Sequence, residues 1–232
     1  MRRRVTEAGR RPADQDLAGT EGADYTERLA TLESASWKRA LDVQRPYRWN
    51  LRRLGLGRTL DVGCGLGRNL CALAPGSVGV DHNRSSVEVA RSRGMTAFTP
   101  EEFAGTPHAQ PGSFDSLLLA HVVEHMDAAS ADGLVSTYLP YLRPAGSVVF
   151  ICPQERGYAQ DATHITFVDF AGLSGLAGRT GLEVARRFSF PFPRAFGTIF
   201  PYNEFVVVAR TVTEDARPSR SAGGEQRPAK GQ

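Results

Sequence analysis

Residues 60–70 read LDVGCGLGRNL, and glycine occupies three alternate positions of this stretch, Gly63, Gly65 and Gly67. A short apolar run precedes the glycines and a helix-like stretch follows them, which predicts a strand, a glycine-rich loop and a helix. Glycine has no Cβ atom, so it adopts positive φ angles and lets a ligand approach the backbone N–H groups. A tight turn without a ligand is the alternative. Because Asp61 also stands at the end of the strand, we interpret the loop as a ligand-binding turn.

Short apolar runs alternate with helical stretches on both sides of this loop. Strands are predicted at 58–62, 77–81, 95–98, 114–120 and 146–152, and helices at 67–74, 84–93, 128–142 and near 167–178. The stretches 183–192 and 203–210 predict two further strands, joined as an antiparallel hairpin at the sheet edge. Buried strands that alternate with helices form parallel sheets. We therefore predict an α/β fold, with a doubly wound, seven-stranded mixed sheet and a reversed C-terminal strand.

The two ends of the chain differ from this core. Residues 1–23 and 213–232 are rich in arginine, alanine, glycine, proline and acidic residues, with few apolar side chains to bury. Such composition predicts disordered tails. Residues 24–212 then form one domain, in which apolar residues at helical spacing predict an N-terminal helical cap over residues 24–54.

Composition and charge exclude several classes of partner. Hydrophobic residues make up 41% of the chain and charged residues 23%, as in an ordinary globular protein. The net charge of +3 is too small to indicate a nucleic-acid partner. Neither a bilayer-length apolar run nor a signal segment is present, so we expect a cytoplasmic protein that does not bind membranes. The three cysteines fit reduced thiols.

A carboxylate at the end of the second predicted strand narrows the ligand of the glycine loop. The run SVGVDH at 77–82 places Asp81 there. In a doubly wound sheet, such a carboxylate binds the ribose hydroxyls of an adenosine held over the first loop. A helix cap is the alternative role for Asp81. Dinucleotide-binding loops have the spacing G-x-G-x-x-G, whereas this loop has G-x-G-x-G, which disfavours a dinucleotide.

With that spacing, LDVGCGLGRNL resembles the first motif of the class I S-adenosylmethionine-dependent methyltransferases. In that family the loop holds the methionine part of S-adenosylmethionine. The resemblance therefore implies cofactor contacts from Asp61, Gly63, Cys64, Gly65 and Gly67.

Further stretches resemble motifs of this family in the family's order. VGVDHN at 78–83 resembles the second motif, which implies Asp81 on the ribose and His82 near the adenine. SFDSLLLAHVVEHM at 113–126 resembles the fourth motif, whose strand ends beside the transferred methyl group, which implies cofactor contacts from Ala120 and His121. YLPYLRPAGSVVFICP at 138–153, DATHITFVDF at 161–170 and the terminal hairpin extend the resemblance to roughly residues 55–210.

The adenine side departs from the family pattern, which has an acidic residue and a small residue after the third strand. FTPEEF at 98–103 places Thr99 and Pro100 there, or Glu101 and Glu102 if the loop is shifted. Proline has no N–H group to donate. We take Glu101 as the residue on the adenine side.

The run HVVEH at 121–125 also matches H-x-x-E-H, the inverted zinc-peptidase motif. Zinc would need His121 and His125 on one face of a helix, with a third ligand from elsewhere in the chain. The predicted strand ends at His121, which leaves little room for such a helix before Ser130. We therefore predict no metal site.

An acceptor needs a general base only if it loses a proton on methylation. His164 is our first candidate, because THITF follows the fifth strand at the substrate side of the sheet. A helix-capping or core histidine is the alternative. His125 and Glu124 are the next candidates for catalytic residues, with a structural role in the motif loop as the alternative.

We therefore predict a methyltransferase that moves the sulfonium methyl group of S-adenosylmethionine to an O, N or C atom of a small molecule. A core without an added recognition domain favours a small molecule over DNA or protein, and the arginine- and alanine-rich composition points to secondary metabolism. We expect a monomer or a homodimer. The alternatives are an NAD(P)-binding Rossmann oxidoreductase and a non-catalytic S-adenosylmethionine-binding protein.

Overall fold

The computed structural model describes residues 44–211. Both predicted tails and most of the predicted helical cap lie outside these residues. The described end of the cap is helix α1, Arg45–Arg53, with Pro46 in its first turn. Leu51 of this helix is buried in a cluster with Phe190 and residues of the central strands.

Seven strands and five further helices follow α1 in the described part of the chain. The strands are β1 Thr59–Val62, β2 Val78–Val80, β3 Ala97–Phe98, β4 Phe114–Ala120, β5 Leu142–Pro153, β6 Leu182–Phe190 and β7 Glu204–Thr211. The helices are α2 Arg84–Ser92, α3 Pro100–Ala104, α4 Ala128–Tyr138, α5 Glu155–Tyr158 and α6 Phe170–Arg179. Short 3₁₀ turns occupy Leu70–Ala72, Val123–His125, Leu139–Tyr141 and Arg194–Thr198.

The strands form one sheet in the order β3-β2-β1-β4-β5-β7-β6. The pairs among β1 to β5 are parallel, whereas β7 pairs antiparallel with both β5 and β6. The predicted doubly wound, mixed sheet with a reversed last strand is thus confirmed. The order reverses direction between β1 and β4, and ligands of open α/β sheets bind at the carboxyl ends of the strands at such a point.

Alternating side chains of the central strands supply a core on each face of the sheet. In β4, Leu117 and Leu119 pack in the cluster that includes residues of α4 and α6, whereas Leu118 and Ala120 pack in the cluster beneath α1. Burial on both faces explains why β4 reads as a continuous apolar run rather than an alternating one.

The helix predicted at 67–74 is wrong, because only the 3₁₀ turn Leu70–Ala72 forms there. Leu73 is already extended, with a ψ angle of 166°, and Pro75 and Gly76 follow it. The segment is therefore too short for regular helical turns. The predicted helix at 128–142 is also too long, since α4 ends at Tyr138 and β5 begins at Leu142, which pairs with Phe114.

The other helix bounds follow from side-chain caps. Asn83 accepts a hydrogen bond from the Ser86 N–H and begins α2, and Asp169 does the same for α6 through the Gly172 N–H. Within residues 44–211, none of the helices is long and apolar enough to cross a membrane.

Candidate active site

The glycine loop connects β1 to the 3₁₀ turn Leu70–Ala72, at the carboxyl end of the sheet. Gly63, Gly65 and Gly67 have φ angles of +76°, +52° and +77°. Residues with a Cβ atom rarely adopt these left-handed φ angles, so the backbone conformation itself requires glycine at these positions.

The three glycines differ in what surrounds them. A Cβ atom on Gly63 would lie 2.4 Å from Val122 Cγ2, and one on Gly67 would lie 3.1 Å from the side chains of Ala90 and Met95. A Cβ atom on Gly65 would meet nothing within 4 Å. Gly63 and Gly67 thus serve close packing, whereas Gly65 leaves an open cradle above the loop.

Asp81 follows β2 and holds the glycine loop directly. Its Oδ2 atom accepts a 2.8 Å hydrogen bond from the Gly65 N–H, and its Oδ1 atom accepts one of 2.8 Å from the Asn83 N–H. Because Asn83 caps α2, Asp81 is not the helix cap that sequence reasoning left open. A carboxylate oxygen has lone pairs for two hydrogen bonds, so each Asp81 oxygen can still accept a ribose hydroxyl.

Asp61 of β1 provides a test of whether the site fits S-adenosylmethionine. The residue is fully buried, and neither carboxylate oxygen has a hydrogen-bond partner within residues 44–211. Burial raises the pKa of this carboxyl to about 7, and the negative charge of Asp81 adds to the rise, against the opposing effects of Arg68 and Asn69. A buried carboxylate without a partner favours a cation. The ammonium group of methionine is such a cation, so the site fits the cofactor.

The missing helix after the loop separates this site from dinucleotide sites. A pyrophosphate is stabilised by the N-terminus of the helix that follows the loop. Here the loop leads only into the 3₁₀ turn Leu70–Ala72, so no regular helix presents its N-terminus to the loop. The loop therefore lacks the feature that stabilises a pyrophosphate, and the carboxylates of Asp61 and Asp81 suit a cationic cofactor.

The remaining predicted cofactor residues lie around the loop but with different exposure. The thiol of Cys64 is buried against Gly79, so only the backbone of Cys64 can face the cradle. The imidazole of His82 is partly exposed beside Asp81, with 3.7 Å between Nδ1 and Oδ1.

On the adenine side, Thr99 and Glu102 form a capping box that begins α3. Glu102 also pairs with Arg84 and Arg91, whereas Glu101 is exposed at the surface. Glu101 lies in the first turn of α3, and its contact with the adenine stays a prediction from the sequence.

Ala120 ends β4, and His121 directly follows it with a φ angle of +60°, which is uncommon outside glycine. The imidazole of His121 lies between two carboxylates, with Nε2 2.9 Å from Glu204 Oε1 and Nδ1 3.2 Å from Glu124 Oε1. Burial alone would lower the pKa of His121, but the two carboxylates outweigh it and raise the pKa to about 10. His121 is therefore an imidazolium that ties β4 to β7.

This arrangement excludes the inverted zinc-peptidase geometry. His121 stands at the end of a strand and His125 in the 3₁₀ turn Val123–His125, so the two do not share a helical face. Cys152 is buried with its thiol 3.5 Å from Glu124 Oε2, and burial raises the pKa of that thiol, so it is not an activated nucleophile.

The three predicted catalytic residues come together although they are distant in sequence. One ligand atom each from Glu124, His125 and His164 lies within 4.8 Å of the others. The rings of His125 and His164 have centroids 4.8 Å apart. Burial lowers the pKa of His125, which keeps its imidazole neutral near pH 7.

Sequence reasoning missed the residues that orient this cluster. His164 stacks on Tyr158, and its Nδ1 lies 2.8 Å from the Tyr158 carbonyl oxygen. Glu204, the second partner of His121, begins the apolar strand β7. A charged residue at the head of the run EFVVVA was a signal for a buried ionic role, but nothing in the sequence marked Tyr158.

The comparisons with known proteins agree with this geometry. Residues 60–150 match the family described as Methyltransferase domain. A SAM-dependent methyltransferase from Archaeoglobus fulgidus is 19% identical, with a TM-score of 0.56 over 72% of this chain and 94% of that one. A TehB-like SAM-dependent methyltransferase from Corynebacterium glutamicum is 16% identical, with a TM-score of 0.57 over 83% of this chain and all of that one.

No curated protein sequence matches the chain. The structural likeness establishes the fold, and the match over residues 60–150 contains the glycine loop, Asp81 and the end of β4. Residues 60–150 therefore match a methyltransferase domain, with S-adenosylmethionine as the cofactor, in a chain that has the fold of the class I S-adenosylmethionine-dependent methyltransferases.

Proposed function

We propose that the protein methylates a small-molecule acceptor on an O, N or C atom, and that the acceptor's nucleophilic atom lies at Glu124, His125 and His164. The observation that carries this proposal is that His164, from the segment after β5, meets Glu124 and His125, which follow the end of β4. Val122 of the same turn touches Gly63. The cluster therefore adjoins the place where the loop holds the methionine part of the cofactor.

Bound S-adenosylmethionine supplies an electrophilic methyl group on its sulfonium. The chain holds that cofactor through Asp81 on the ribose hydroxyls, Asp61 on the ammonium group and the open backbone at Gly65. We place His82 near the adenine and Glu101 at its rim. Ala120 and His121 border the sulfonium from the end of β4.

The ring nitrogens of the cluster are available to the acceptor. His125 Nδ1 lies 3.1 Å from the Thr163 carbonyl oxygen, and His164 Nδ1 makes the corresponding contact with the Tyr158 carbonyl oxygen. In a neutral imidazole whose Nδ1–H donates, Nε2 carries a lone pair. In this tautomer, Nε2 of each ring is the atom that would act on the nucleophilic atom of the acceptor.

Apolar side chains near the carboxyl ends of β5 and β6 favour a low-molecular-weight acceptor with an apolar body. Phe192, Phe196 and Phe200 contact one another in the segment between β6 and β7, with ring centroids 5.1–5.4 Å from Phe192. Near this edge Phe192, Phe196 and Phe167 are 41–43% exposed and Ile165 is 52% exposed. Apolar walls with a few polar groups are typical of small-ligand sites. A role in secondary metabolism and a cytoplasmic location stay predictions from the sequence.

A transfer assay with methyl-labelled S-adenosylmethionine tests the acceptor class. Cell extract is separated by size into a low-molecular-weight fraction and a macromolecular fraction, and the protein is added to each. We expect label to enter the low-molecular-weight fraction, with His164→Ala as the control that lowers it. Label that enters only protein or nucleic acid would refute the proposed acceptor class.

A further inference from the structure

The cluster of Glu124, His125 and His164 has a donor set that transition-metal ions prefer. It offers one carboxylate oxygen and two imidazole nitrogens within 4.8 Å of one another. Two imidazoles and a carboxylate suit Zn²⁺ and related ions, whereas Mg²⁺ and Ca²⁺ prefer all-oxygen sites. Zinc with three protein ligands keeps a fourth position open.

The hydrogen bonds around the two histidines match those of metal ligands. A ligating imidazole usually donates its second N–H to a backbone carbonyl or a carboxylate, which fixes the tautomer and the ring orientation. His125 and His164 each direct Nδ1 to a carbonyl oxygen, at 3.1 Å and 2.8 Å. Asp161 supports the position of His125 through Thr163. Its Oδ1 accepts a hydrogen bond from the Thr163 hydroxyl, 2.8 Å away. That hydroxyl in turn lies 3.2 Å from His125 Nδ1.

Glu124 places a buried carboxylate beside the two imidazoles. Its side chain is fully buried, with Oε1 3.2 Å from Nδ1 of the His121 imidazolium and Oε2 3.5 Å from the Cys152 thiol. A carboxylate held in this way is a fixed negative charge, and together with two imidazoles it forms a donor set suited to a divalent transition-metal ion.

Hydrogen bonds of the backbone hold the segment that contains His164 beside Glu124 and His125. The Glu124 carbonyl oxygen accepts hydrogen bonds from the Ile165 and Thr166 N–H groups at 2.9 and 3.1 Å. The Thr166 hydroxyl donates to the Met126 carbonyl oxygen at 2.8 Å. Ligands of tetrahedral zinc lie about 3.4 Å apart, so side-chain movements of about 1 Å would close the site.

We propose that Glu124, His125 and His164 bind one divalent transition-metal ion of the Zn²⁺ class, and that its open position takes the oxygen of a hydroxyl acceptor. The use of the ion rests on the proposed function, but metal binding itself does not. The inference departs from the sequence-based prediction that the chain has no metal site.

The chemistry balances without a further reactant. A bound cation lowers the pKa of a coordinated hydroxyl, so the acceptor's O–H bond breaks and the proton passes to solvent. The acceptor's oxygen forms a bond to the methyl carbon, and the carbon–sulfur bond breaks with its electron pair on sulfur. Nε2 of His164 is then a ligand rather than a proton acceptor, and the ion replaces the general base predicted from the sequence.

Metal binding is tested on the full chain without a polyhistidine tag, stripped with chelator and titrated with Co²⁺ and with Zn²⁺. We expect one equivalent of either metal, with a visible d–d absorption band for Co²⁺. His125→Ala and His164→Ala should weaken binding by about 100-fold or more, above the effect of losing an outer hydrogen bond. His108→Ala is the matched control, because His108 bonds to Arg58 outside the cluster. Calorimetry with S-adenosylhomocysteine shows that each variant is folded.

No Co²⁺ band in the wild type, or equal metal binding by His164→Ala, would overturn the metal site. Full methyl transfer by the chelated enzyme would overturn the role of the ion and leave the proposed function standing. A metal-loaded enzyme that methylates no small molecule would overturn the proposed function, while the spectroscopic result would still support the metal site.

Discussion

Replacing Asp61 with asparagine tests whether this buried carboxylate serves the ligand at the expense of stability. Its folded pKa is raised by burial and by Asp81 to about 7, from 3.8 for an exposed aspartate. Between these two values the folded protein binds more protons than the unfolded chain does. The free energy of unfolding of the unliganded protein therefore falls as the pH rises from about 4 to about 7.

The size of this change in the free energy of unfolding follows from the shift in the pKa of Asp61. Each pKa unit corresponds to about 1.4 kcal/mol, so a rise from 3.8 to about 7 removes about 4 kcal/mol above pH 7. Asparagine removes the charge, but its buried amide lacks full hydrogen bonding, which costs about 1–3 kcal/mol. We expect Asp61→Asn to be less stable than the wild type near pH 4.5 and more stable, by about 1–3 kcal/mol, at pH 8.

Urea unfolding at several pH values measures this crossover, and calorimetry with S-adenosylhomocysteine measures the loss of affinity. Asp132→Asn is the control for removing a carboxylate, because Asp132 forms an exposed ion pair with Arg179. Asp61→Asn should also bind the ligand more weakly, since the ammonium group loses its counter-charge. A stability difference that does not change with pH, or unchanged affinity, would refute this account of Asp61.

Further variants test the loop and its carboxylate. Gly65→Val should abolish cofactor binding. Gly94→Val is the control for backbone strain, because Gly94 also has a positive φ and open space around it, and this variant should keep its affinity. Equal cofactor affinity of the two variants in calorimetry would refute the role of Gly65. Asp81→Ala should lower the affinity for S-adenosylhomocysteine by about 1.5–3 kcal/mol, and an unchanged dissociation constant would limit it to a structural role. Gly63→Ala should destabilise the fold by about 1–3 kcal/mol in urea unfolding. Adding Val122→Ala should restore the share of this stability loss that comes from the 2.4 Å contact. A double variant as unstable as Gly63→Ala alone would contradict that packing.

The sequence was sufficient to predict the sheet, because local residue patterns mark its strands and its first loop. The spacing of Gly63, Gly65 and Gly67 fixed the first loop, and Asp81 after an apolar run fixed its partner carboxylate. The predicted helix at 67–74 failed, because apolar spacing could not show that Leu73 turns the chain into an extended conformation before Pro75.

The candidate site depended on contacts that sequence spacing does not encode. His164 was placed at the substrate side from its position after the fifth strand, but its approach to His125 depends on hydrogen bonds between Glu124 and the segment that contains Ile165. The pairing of Glu204 with His121 likewise depends on β7 lying next to β5. Both are consequences of strand order and register rather than of local pattern.

A crystal structure of the protein with S-adenosylhomocysteine tests the central claim most directly. We expect the ribose hydroxyls on the Asp81 carboxylate, the methionine ammonium on the side of Asp61, and the sulfur directed toward Glu124, His125 and His164. The ligand should cross the backbone at Gly65 without displacing it. A ligand bound away from the glycine loop, or a sulfur that points away from the three side chains, would contradict the account.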